Sequence, residues 1–393
     1  MGHEQTLSNG SARKRDAMDA PSLTLGIEEE YLLVDRKTRD LVRDPPDALM
    51  DQLQKAIGEQ VTSEFLRCQV EVGTKVCTEI GEARAELARL RKLVVEVAGG
   101  FGYAPIAAST HPFSHWDEQE HTKKDRYDTL ARDLAGAARR MVISGMHVHV
   151  GIEDDDLRID LMNQVRYFLP HLLALSTSSP FWQGEDMGLQ SYRLTIWDAL
   201  PRTGLPDTFD GYSEYQRLVQ QLVATGIIPD ATMLWWDIRP SGRFPTLESR
   251  ITDICTNLDD GIAIAATYQA LLSMLYRLRQ QNQRWRLYPA TLMGENRWRA
   301  QRYGVTGELI DFGKGTLTSF DALCDEIIEM TAEDAARLGS RDEISHIKRI
   351  ARRGTSADQQ RRVYGDAIKG GAEPREALAA VVDNLIEETA ARL

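Results

Sequence analysis

The sequence predicts an α+β fold in which helices pack on one face of a mainly antiparallel sheet. Several segments alternate apolar with polar residues, which is typical of antiparallel strands with one solvated face. Longer segments between them carry apolar residues at helical spacing, as amphipathic helices do. The composition, 42% hydrophobic and 27% charged over 393 residues, is that of a globular protein with a sizeable core.

These segments follow one another in a definite order. Residues 1–20 are polar without periodicity and are interpreted as a disordered arm, whereas 21–393 are interpreted as a single domain whose last part, about 320–393, is helical. Strands are predicted over 25–35, 64–73, 101–109, 144–151, 233–239 and 246–253. Helices are predicted over 48–57, from 78 onward, and over 125–142, 154–178 (kinked at Pro170), 211–225 and 261–280. Residues 180–202 form a loop rich in Gly, Ser and Trp, and long loops of this kind often carry function.

The first strand, LGIEEEYLLVD, contains three consecutive glutamates. Since side chains alternate along a strand, Glu28 and Glu30 share one face, while Glu29 points to the other face with Tyr31. Aligned carboxylates repel each other and are costly to desolvate. A divalent metal, an Arg or Lys, or water is therefore expected between Glu28 and Glu30; a solvated edge strand is the alternative.

Three later strands carry polar residues with matching chemistry. Glu71 lies on the polar face of its strand, although a solvent-facing role is the alternative for it. His147 and His149 share a face, and HxH on a strand indicates a metal or phosphate site, against one satisfied core histidine beside an exposed one. Glu248 and Arg250 also share a face, where they could bind a metal and a phosphate side by side or form a surface ion pair.

Three further residues are weaker candidates for binding substrate. His111 precedes a proline, which restricts it to an extended conformation at the end of a strand, where either a site or a turn-forming role fits. Arg193 and Arg202 lie in the 180–202 loop. A guanidinium is suited to bidentate contacts with carboxylate or phosphate.

Charge, cysteines and motifs exclude several classes of protein. The net charge of −12 argues against a nucleic-acid binder whose affinity depends on phosphate neutralisation. Four widely spaced cysteines without CxxC predict reduced thiols and a cytoplasmic location. No segment has the length of a transmembrane helix, and the N-terminus lacks an apolar signal core, so no membrane contact is expected. The sequence lacks a P-loop, GxGxxG and GxSxG.

The carboxylates on the predicted polar face suit hard cations such as Mg²⁺ or Mn²⁺, which prefer oxygen ligands. Such ions bridge phosphate oxygens and neutralise charge during phosphoryl transfer. Arginines beside them add contacts to phosphate. Without a P-loop, a nucleotide would be bound through metals and arginines.

Taken together, the motifs resemble the type-2 glutamate–cysteine ligase family of carboxylate–amine ligases, over about residues 23–278. The motifs are GIEEEYLLVD, STHPF, GMHVHVG, LALSTSSPFWQG, SYR, GLP, WWDIRP and TLESRITD. The resemblance implies a glutamine-synthetase-like catalytic fold, in which a curved, mainly antiparallel sheet of about six strands forms a funnel with helices on its outer face. It also implies an ATP-dependent ligase that joins L-glutamate to an amine such as L-cysteine through γ-glutamyl phosphate, releasing ADP and phosphate.

Matched motif by motif, the resemblance implies a role for each candidate residue. The implied metal ligands are Glu28, Glu30, Glu71, His149 and Glu248, and the implied catalytic residues are Arg250, Glu248 and His149. Arg250 and His149 would contact ATP, while Arg193, Arg202 and His111 would bind substrate. A cytoplasmic homodimer is expected. The alternatives are a ligase of the same chemistry with another amine, a zinc-dependent hydrolase in which HxH binds the metal, and a non-catalytic amino-acid sensor.

Overall fold

A computed structural model describes residues 20–123, 132 and 134–393. The strands of its main sheet are β1 Leu25–Asp35, β2 Val61–Ser63, β3 Gln69–Gly73, β4 Tyr103–Ile106, β5 Met146–Gly151, β10 Ile238–Pro240 and β11 Thr246–Ser249. Their order is β10-β11-β5-β1-β3-β2, with β4 also paired to β1, and every pairing is antiparallel. The predicted α+β class with a mainly antiparallel sheet is therefore confirmed.

Three two-stranded pairs complete the strands of the described chain. They are β6 Phe181–Trp182 with β7 Glu185–Asp186, β8 Thr203–Gly204 with β9 Trp235–Trp236, and β12 Glu308–Asp311 with β13 Thr316–Ser319.

Helices make up most of the rest of the described chain. They are α1 Asp47–Ile57, α2 Ile80–Gly100, α3 Gly136–Arg139, α4 Asp155–Val165, α5 Leu169–Ser176, α6 Arg193–Trp197, α7 Tyr212–Ala224, α8 Leu258–Gln280, α9 Ala290–Tyr303, α10 Phe320–Met330, α11 Ala332–Leu338, α12 Arg341–Arg353, α13 Ser356–Lys369 and α14 Pro374–Thr389. The part predicted to be helical, 320–393, contains the last five of these helices.

Strand β1 lies between neighbours on both sides. Glu28 is opposite Gly73 on β3 and His147 on β5. Further along, Leu32 is opposite Gln69 on β3 and Ile106 on β4. β5 and β4 therefore follow each other along the same side of β1, and its glutamates lie in the interior of the sheet, not at an edge.

The two faces of β1 have different coverings. Ile27 and Tyr31 belong to the main hydrophobic core, to which α2 and α8 contribute. On the opposite face Leu32 and Val34 belong to a second core with residues of α14 such as Val381. The face predicted to be polar is therefore polar only in the half with Glu28 and Glu30, because the C-terminal helix α14 covers the other half.

Several predicted elements are divided in the structure. Of the strand predicted over 64–73, only β3, Gln69–Gly73, is a strand; residues 64–68 connect it to β2 in a hairpin in which Ser63 pairs with Val70. The helix predicted over 154–178 is interrupted at Arg166–Phe168, before Pro170 in the first turn of α5. The strand predicted over 233–239 is divided at Asp237 into β9 and β10, which pair in different sheets.

Other predicted boundaries shift or lie outside the described residues. The strand predicted over 246–253 ends at Ser249, so Arg250 follows it directly. The 180–202 loop contains the β6–β7 hairpin and α6. The N-terminal arm, apart from residue 20, and most of the first part of the helix predicted over 125–142 lie outside the described residues.

All four cysteines are buried free thiols, as predicted. In the described part of the chain, no helix combines the length and the apolar character needed to cross a membrane.

Candidate active site

Two groups of side chains occupy the polar half of the sheet face. The first group, here the upper group, comprises Glu28 on β1, His149 on β5 and Glu248 on β11, each with one oxygen or nitrogen atom within 4.8 Å of the others. The second, the lower group, comprises Glu30 on β1, Glu71 on β3 and Glu64 between β2 and β3, at the same separation.

The register of the antiparallel pairs brings these residues together. Glu248 is directly opposite His149 across the β11–β5 pair, and Glu30 is directly opposite Glu71 across the β1–β3 pair. Directly opposed residues have Cβ atoms about 4.5–5.5 Å apart. Because β5 and β1 are neighbouring strands, these two opposed pairs lie side by side and produce two adjoining clusters of possible ligand atoms.

His149 is held in the upper group through one ring nitrogen. Its Nδ1 lies 2.9 Å from Thr246 Oγ1. Its Nε2 is buried, makes no hydrogen bond within the described residues, and lies 3.4 Å from Glu28 Oε1. A buried nitrogen without a partner, next to two carboxylates, is a suitable ligand for a metal ion or a phosphate.

His147 lies between the two groups. Its Nδ1 is 3.1 Å from Glu28 Oε2, and its Nε2 is 3.9 Å from Glu30 Oε1. Burial, followed by the nearby Arg250 guanidinium, lowers the pKa of His147 to about 4. At neutral pH the imidazole is therefore uncharged and contributes no positive charge to the two groups.

The lower group concentrates negative charge. Glu30 Oε2 accepts a 2.7 Å hydrogen bond from Gly145 N, and Glu71 Oε1 accepts a 2.8 Å bond from Thr62 Oγ1. Burial and then the Glu71 charge raise the pKa of Glu30 to about 7. Burial and then Glu30 also raise the pKa of Glu64. The three carboxylates thus disfavour one another's ionisation, and a bound cation would relieve this repulsion.

Arginines supply the positive charge beside the upper group. Arg239 Nε donates to Glu248 Oε2 at 2.9 Å, and Arg250 forms a close contact with Glu248 Oε1. Burial opposes ionisation of Glu248, but Arg250 and then Arg239 outweigh it and hold the pKa of this carboxyl well below its usual range. Glu248 is therefore ionised and orients both guanidiniums.

Two guanidiniums at the site retain unused donors. The Nε atoms of Arg193 and Arg250 are buried and make no hydrogen bond with any described residue. Both guanidiniums lie over the Trp197 ring, 5.8 Å from its centroid. Arg193 otherwise donates to the backbone oxygens of Ile251 and Arg250, at 3.4 and 3.2 Å. These unused donors are suited to an anionic substrate.

Gly145 makes room for Arg193. A Cβ atom at position 145 would lie 2.5 Å from Arg193 Nη2, a distance that real Cβ contacts do not show. The same glycine donates its N–H to Glu30. The absence of a side chain at 145 therefore lets the arginine approach the lower group.

Glu29 has a different role, as the strand alternation predicted. On the core face of β1 it forms a bidentate ion pair with Arg91 of α2, at 2.6 and 2.7 Å, and both side chains are fully buried. Tyr31 Oη donates to the same carboxylate at 2.5 Å. Glu29 thus joins the sheet to α2 and does not face the site.

Seven of the nine predicted site residues lie together: Glu28, Glu30, Glu71, His149, Arg193, Glu248 and Arg250. The other two have structural contacts elsewhere. His111 Nδ1 accepts from the backbone N–H of Phe113 and Ser114, and its Nε2 lies 2.8 Å from Arg39 O. Arg202 Nε donates to Met233 O, and its guanidinium lies over the Trp235 ring. We therefore do not retain His111 or Arg202 as substrate-binding candidates.

Three residues of the site were not predicted. Glu64 is in the connection between β2 and β3, where strand alternation gives no information about direction. Arg239 is the last residue of the strand predicted over 233–239, but only the register places it opposite Glu248. His147 shares a face with His149, so the HxH pattern indicated both histidines, but we assigned a role to His149 alone.

Comparisons with known proteins agree with this architecture. The sequence profile of glutamate–cysteine ligase family 2 (GCS2) matches residues 24–383. The chain is 59% identical to the Rhodospirillum rubrum protein named "Putative glutamate–cysteine ligase 2" over 96% of this chain and 98% of that one. It is also similar in structure to a bifunctional glutathione synthetase from Pasteurella multocida (TM-score 0.66, 15% identity, 94% of this chain and 53% of that chain). A glutamate–cysteine ligase from Francisella tularensis, solved in complex with AMP, has the same TM-score with 13% identity, covering 94% of this chain and 89% of that chain. The two structural similarities bear on the fold alone, which agrees with the predicted one, and the profile and the sequence relative together establish that the chain belongs to glutamate–cysteine ligase family 2.

Proposed function

We propose that this protein is an ATP-dependent carboxylate–amine ligase that joins the γ-carboxylate of L-glutamate to the amino group of L-cysteine. The products would be γ-glutamylcysteine, ADP and phosphate. The observation that supports this most strongly is the combination, on one sheet face, of two carboxylate-rich groups with buried nitrogen atoms of His149, Arg193 and Arg250 that make no hydrogen bond in the described chain. Such a site suits a phosphate-bearing substrate that binds together with divalent cations.

The chemistry requires activation of the carboxylate. A carboxylate oxygen is a poor leaving group, so an amine does not displace it at a useful rate. In the proposed sequence a γ-carboxylate oxygen attacks the γ-phosphorus of ATP, and ADP leaves. The amine nitrogen then attacks the acyl carbon and loses a proton, and phosphate leaves with the original carboxylate oxygen. None of the four buried cysteines is available as an acyl-enzyme nucleophile.

The residues present fit a hard divalent cation. The two groups offer five carboxylates and one imidazole, an oxygen-rich donor set that suits Mg²⁺ or Mn²⁺. Glu28, His149 and Glu248 would hold one ion, and Glu30, Glu64 and Glu71 would hold another. When bound, these ions would neutralise charge on the phosphate oxygens.

The protein's own groups would then orient and stabilise the reacting phosphate. Arg250, held by Glu248 and packed on Trp197, would donate its free Nε–H to the transferring phosphoryl group. Arg193, packed on the same ring, would contact a substrate carboxylate or phosphate. Neutral His147 would separate the two groups without adding charge.

The zinc-dependent hydrolase alternative receives less support. Each candidate ligand group in the described residues is dominated by carboxylates, and only the upper group includes an imidazole. Zinc sites of hydrolases instead combine several histidines with at most one carboxylate.

The test is a screen of ADP release with purified protein, Mg²⁺–ATP, L-glutamate and a panel of amines. L-Cysteine should give ADP and phosphate, and ¹⁸O placed in the γ-carboxylate should appear in the phosphate. AMP with pyrophosphate, or unlabelled phosphate, would contradict the acyl-phosphate sequence. If another amine is preferred, the proposed reaction stands and that amine replaces L-cysteine as the substrate. If no amine gives ADP, the non-catalytic amino-acid sensor is favoured. The homodimer stays a prediction, which light scattering in solution would test.

A further inference from the structure

A cavity of about 280 Å³ lies outside the strands that carry the candidate active site. Its walls come from the turn before α5, from α5, from the segment after α8 and from α10. We call it the aromatic cavity, after the lining residues Tyr167, Phe168, His171, Trp285 and Tyr288. The volume is close to the lower end of the range for small-molecule sites.

The aromatic rings of the cavity are packed against one another. Trp285 lies 4.9 Å from Phe168 and 5.3 Å from Tyr167, measured between ring centroids. Tyr288 lies 5.7 Å from Tyr167. These separations are those of interacting aromatic pairs, which prefer tilted or edge-on contacts with a further ring. The walls therefore suit a planar, apolar group.

A buried polar atom of the cavity wall has no hydrogen-bond partner. Trp285 Nε1 is buried and makes no hydrogen bond with the described residues. An indole N–H can only donate. Since buried polar groups are nearly always paired, Trp285 requires an acceptor that the described chain does not provide.

One arginine that lines the cavity makes no ion pair in the described chain. Arg286 lines it and lies over the Tyr288 ring at 5.3 Å, and it has no ion pair among the described residues. Arg166, whose side chain is buried and also lacks an ion pair in the described chain, lines an adjoining recess with Arg286.

The other charged residues of the wall are already paired. Asp311 and Glu326 both contact the ammonium group of Lys314. Arg284 is paired with Asp160 at 3.1 Å. Asp311 and Glu326 share one ammonium group, whereas Arg286 is the one charged wall residue of the described chain that makes no ion pair. An anion in the cavity would therefore contact the Arg286 guanidinium.

We propose that the aromatic cavity binds a small aromatic carboxylic acid. Its ring would lie among Tyr167, Phe168 and Tyr288, and its carboxylate would accept hydrogen bonds from Trp285 Nε1 and Arg286. This site is independent of the proposed ligase reaction, because the cavity shares no residue with either ligand group.

The test is calorimetric titration of the full chain with four matched probes at concentrations of about 1 mM, suited to weak pocket ligands. The probes are 3-phenylpropionate, its uncharged amide, 3-phenylpropylammonium and hexanoate. 3-Phenylpropionate should bind. The amide lacks its charge, the ammonium ion has the opposite charge and hexanoate lacks the ring, so each of these three should bind at least about tenfold more weakly. Equal binding of acid and amide, preference for the ammonium ion, or no binding of the acid would overturn the proposal.

Two variants locate the binding site. Trp285→Phe keeps a ring but removes the N–H, and Arg286→Gln removes the charge of an exposed side chain; each should weaken 3-phenylpropionate about tenfold. Trp298→Phe, at a half-exposed tryptophan that does not line the cavity, should leave binding unchanged. If Trp285→Phe does not fold, Arg286→Gln still decides the question. Unchanged binding in Arg286→Gln would place the acid elsewhere and refute the site.

Discussion

Replacing Glu29 should separate the folding role of the glutamate run from its chemical role. The Glu29–Arg91 pair is bidentate and fully buried, and Arg91 also donates to the backbone oxygens of Cys255 and Thr256. Glu29→Gln would leave the Arg91 charge without a counter-ion. Breaking a buried pair in this way costs about 3–5 kcal/mol, a large share of the ~5–15 kcal/mol that stabilises a typical protein.

The neighbouring position should behave in the opposite manner. The Glu28 side chain is 30% exposed and contacts histidines, so Glu28→Gln should change the free energy of unfolding by no more than about 1 kcal/mol. It should lower Mg²⁺-dependent ADP release by at least about tenfold, because it removes a proposed metal ligand. Glu29→Gln should retain most of the activity per folded molecule.

The assay is urea unfolding of each variant, combined with ADP release at a temperature where each is folded. A Glu29→Met/Arg91→Met double variant, which removes both charges, should be more stable than Glu29→Gln alone. The reasoning is refuted if Glu29→Gln unfolds at the wild-type midpoint, or if Glu28→Gln loses as much stability as Glu29→Gln.

Three further predictions concern the site and its surroundings. Glu64→Gln should weaken Mn²⁺ binding, measured by electron paramagnetic resonance, by about tenfold or more. Glu59→Gln, at an exposed position outside the site, should leave Mn²⁺ binding unchanged, and equal Mn²⁺ affinities of the two variants would remove Glu64 from the lower group. Raised Mg²⁺ should partly restore ADP release in Glu248→Ala but not in Arg250→Ala, and the reverse pattern would exchange their proposed roles. His111→Ala should lower stability by about 1–3 kcal/mol, because two backbone N–H groups lose their acceptor, without changing the KM for glutamate; a raised KM would return this histidine to the substrate site.

The sequence alone was sufficient to separate the three consecutive glutamates. Alternation is a property of any extended backbone, so the opposite directions of Glu29 and its two neighbours follow from the strand prediction. The same argument correctly placed Glu71 and His149 on the polar face. It could not locate Glu64, because alternation predicted a continuous strand over 64–73 where the chain turns between β2 and β3.

Pairing between distant segments was decided by the tertiary structure. Arg239 meets Glu248 because β10 and β11 pair in a particular register, and Arg91 meets Glu29 from a helix 62 residues away. The covering of Leu32 by α14 likewise depends on how the C-terminal helices dock. Local periodicity specifies which side of an element is apolar, but the partner of that side is chosen by the packing of the whole chain. For this reason the sequence predicted four of the five carboxylates of the candidate site, while only the folded structure added Glu64 and determined which arginines contact these carboxylates and which of them share a cluster.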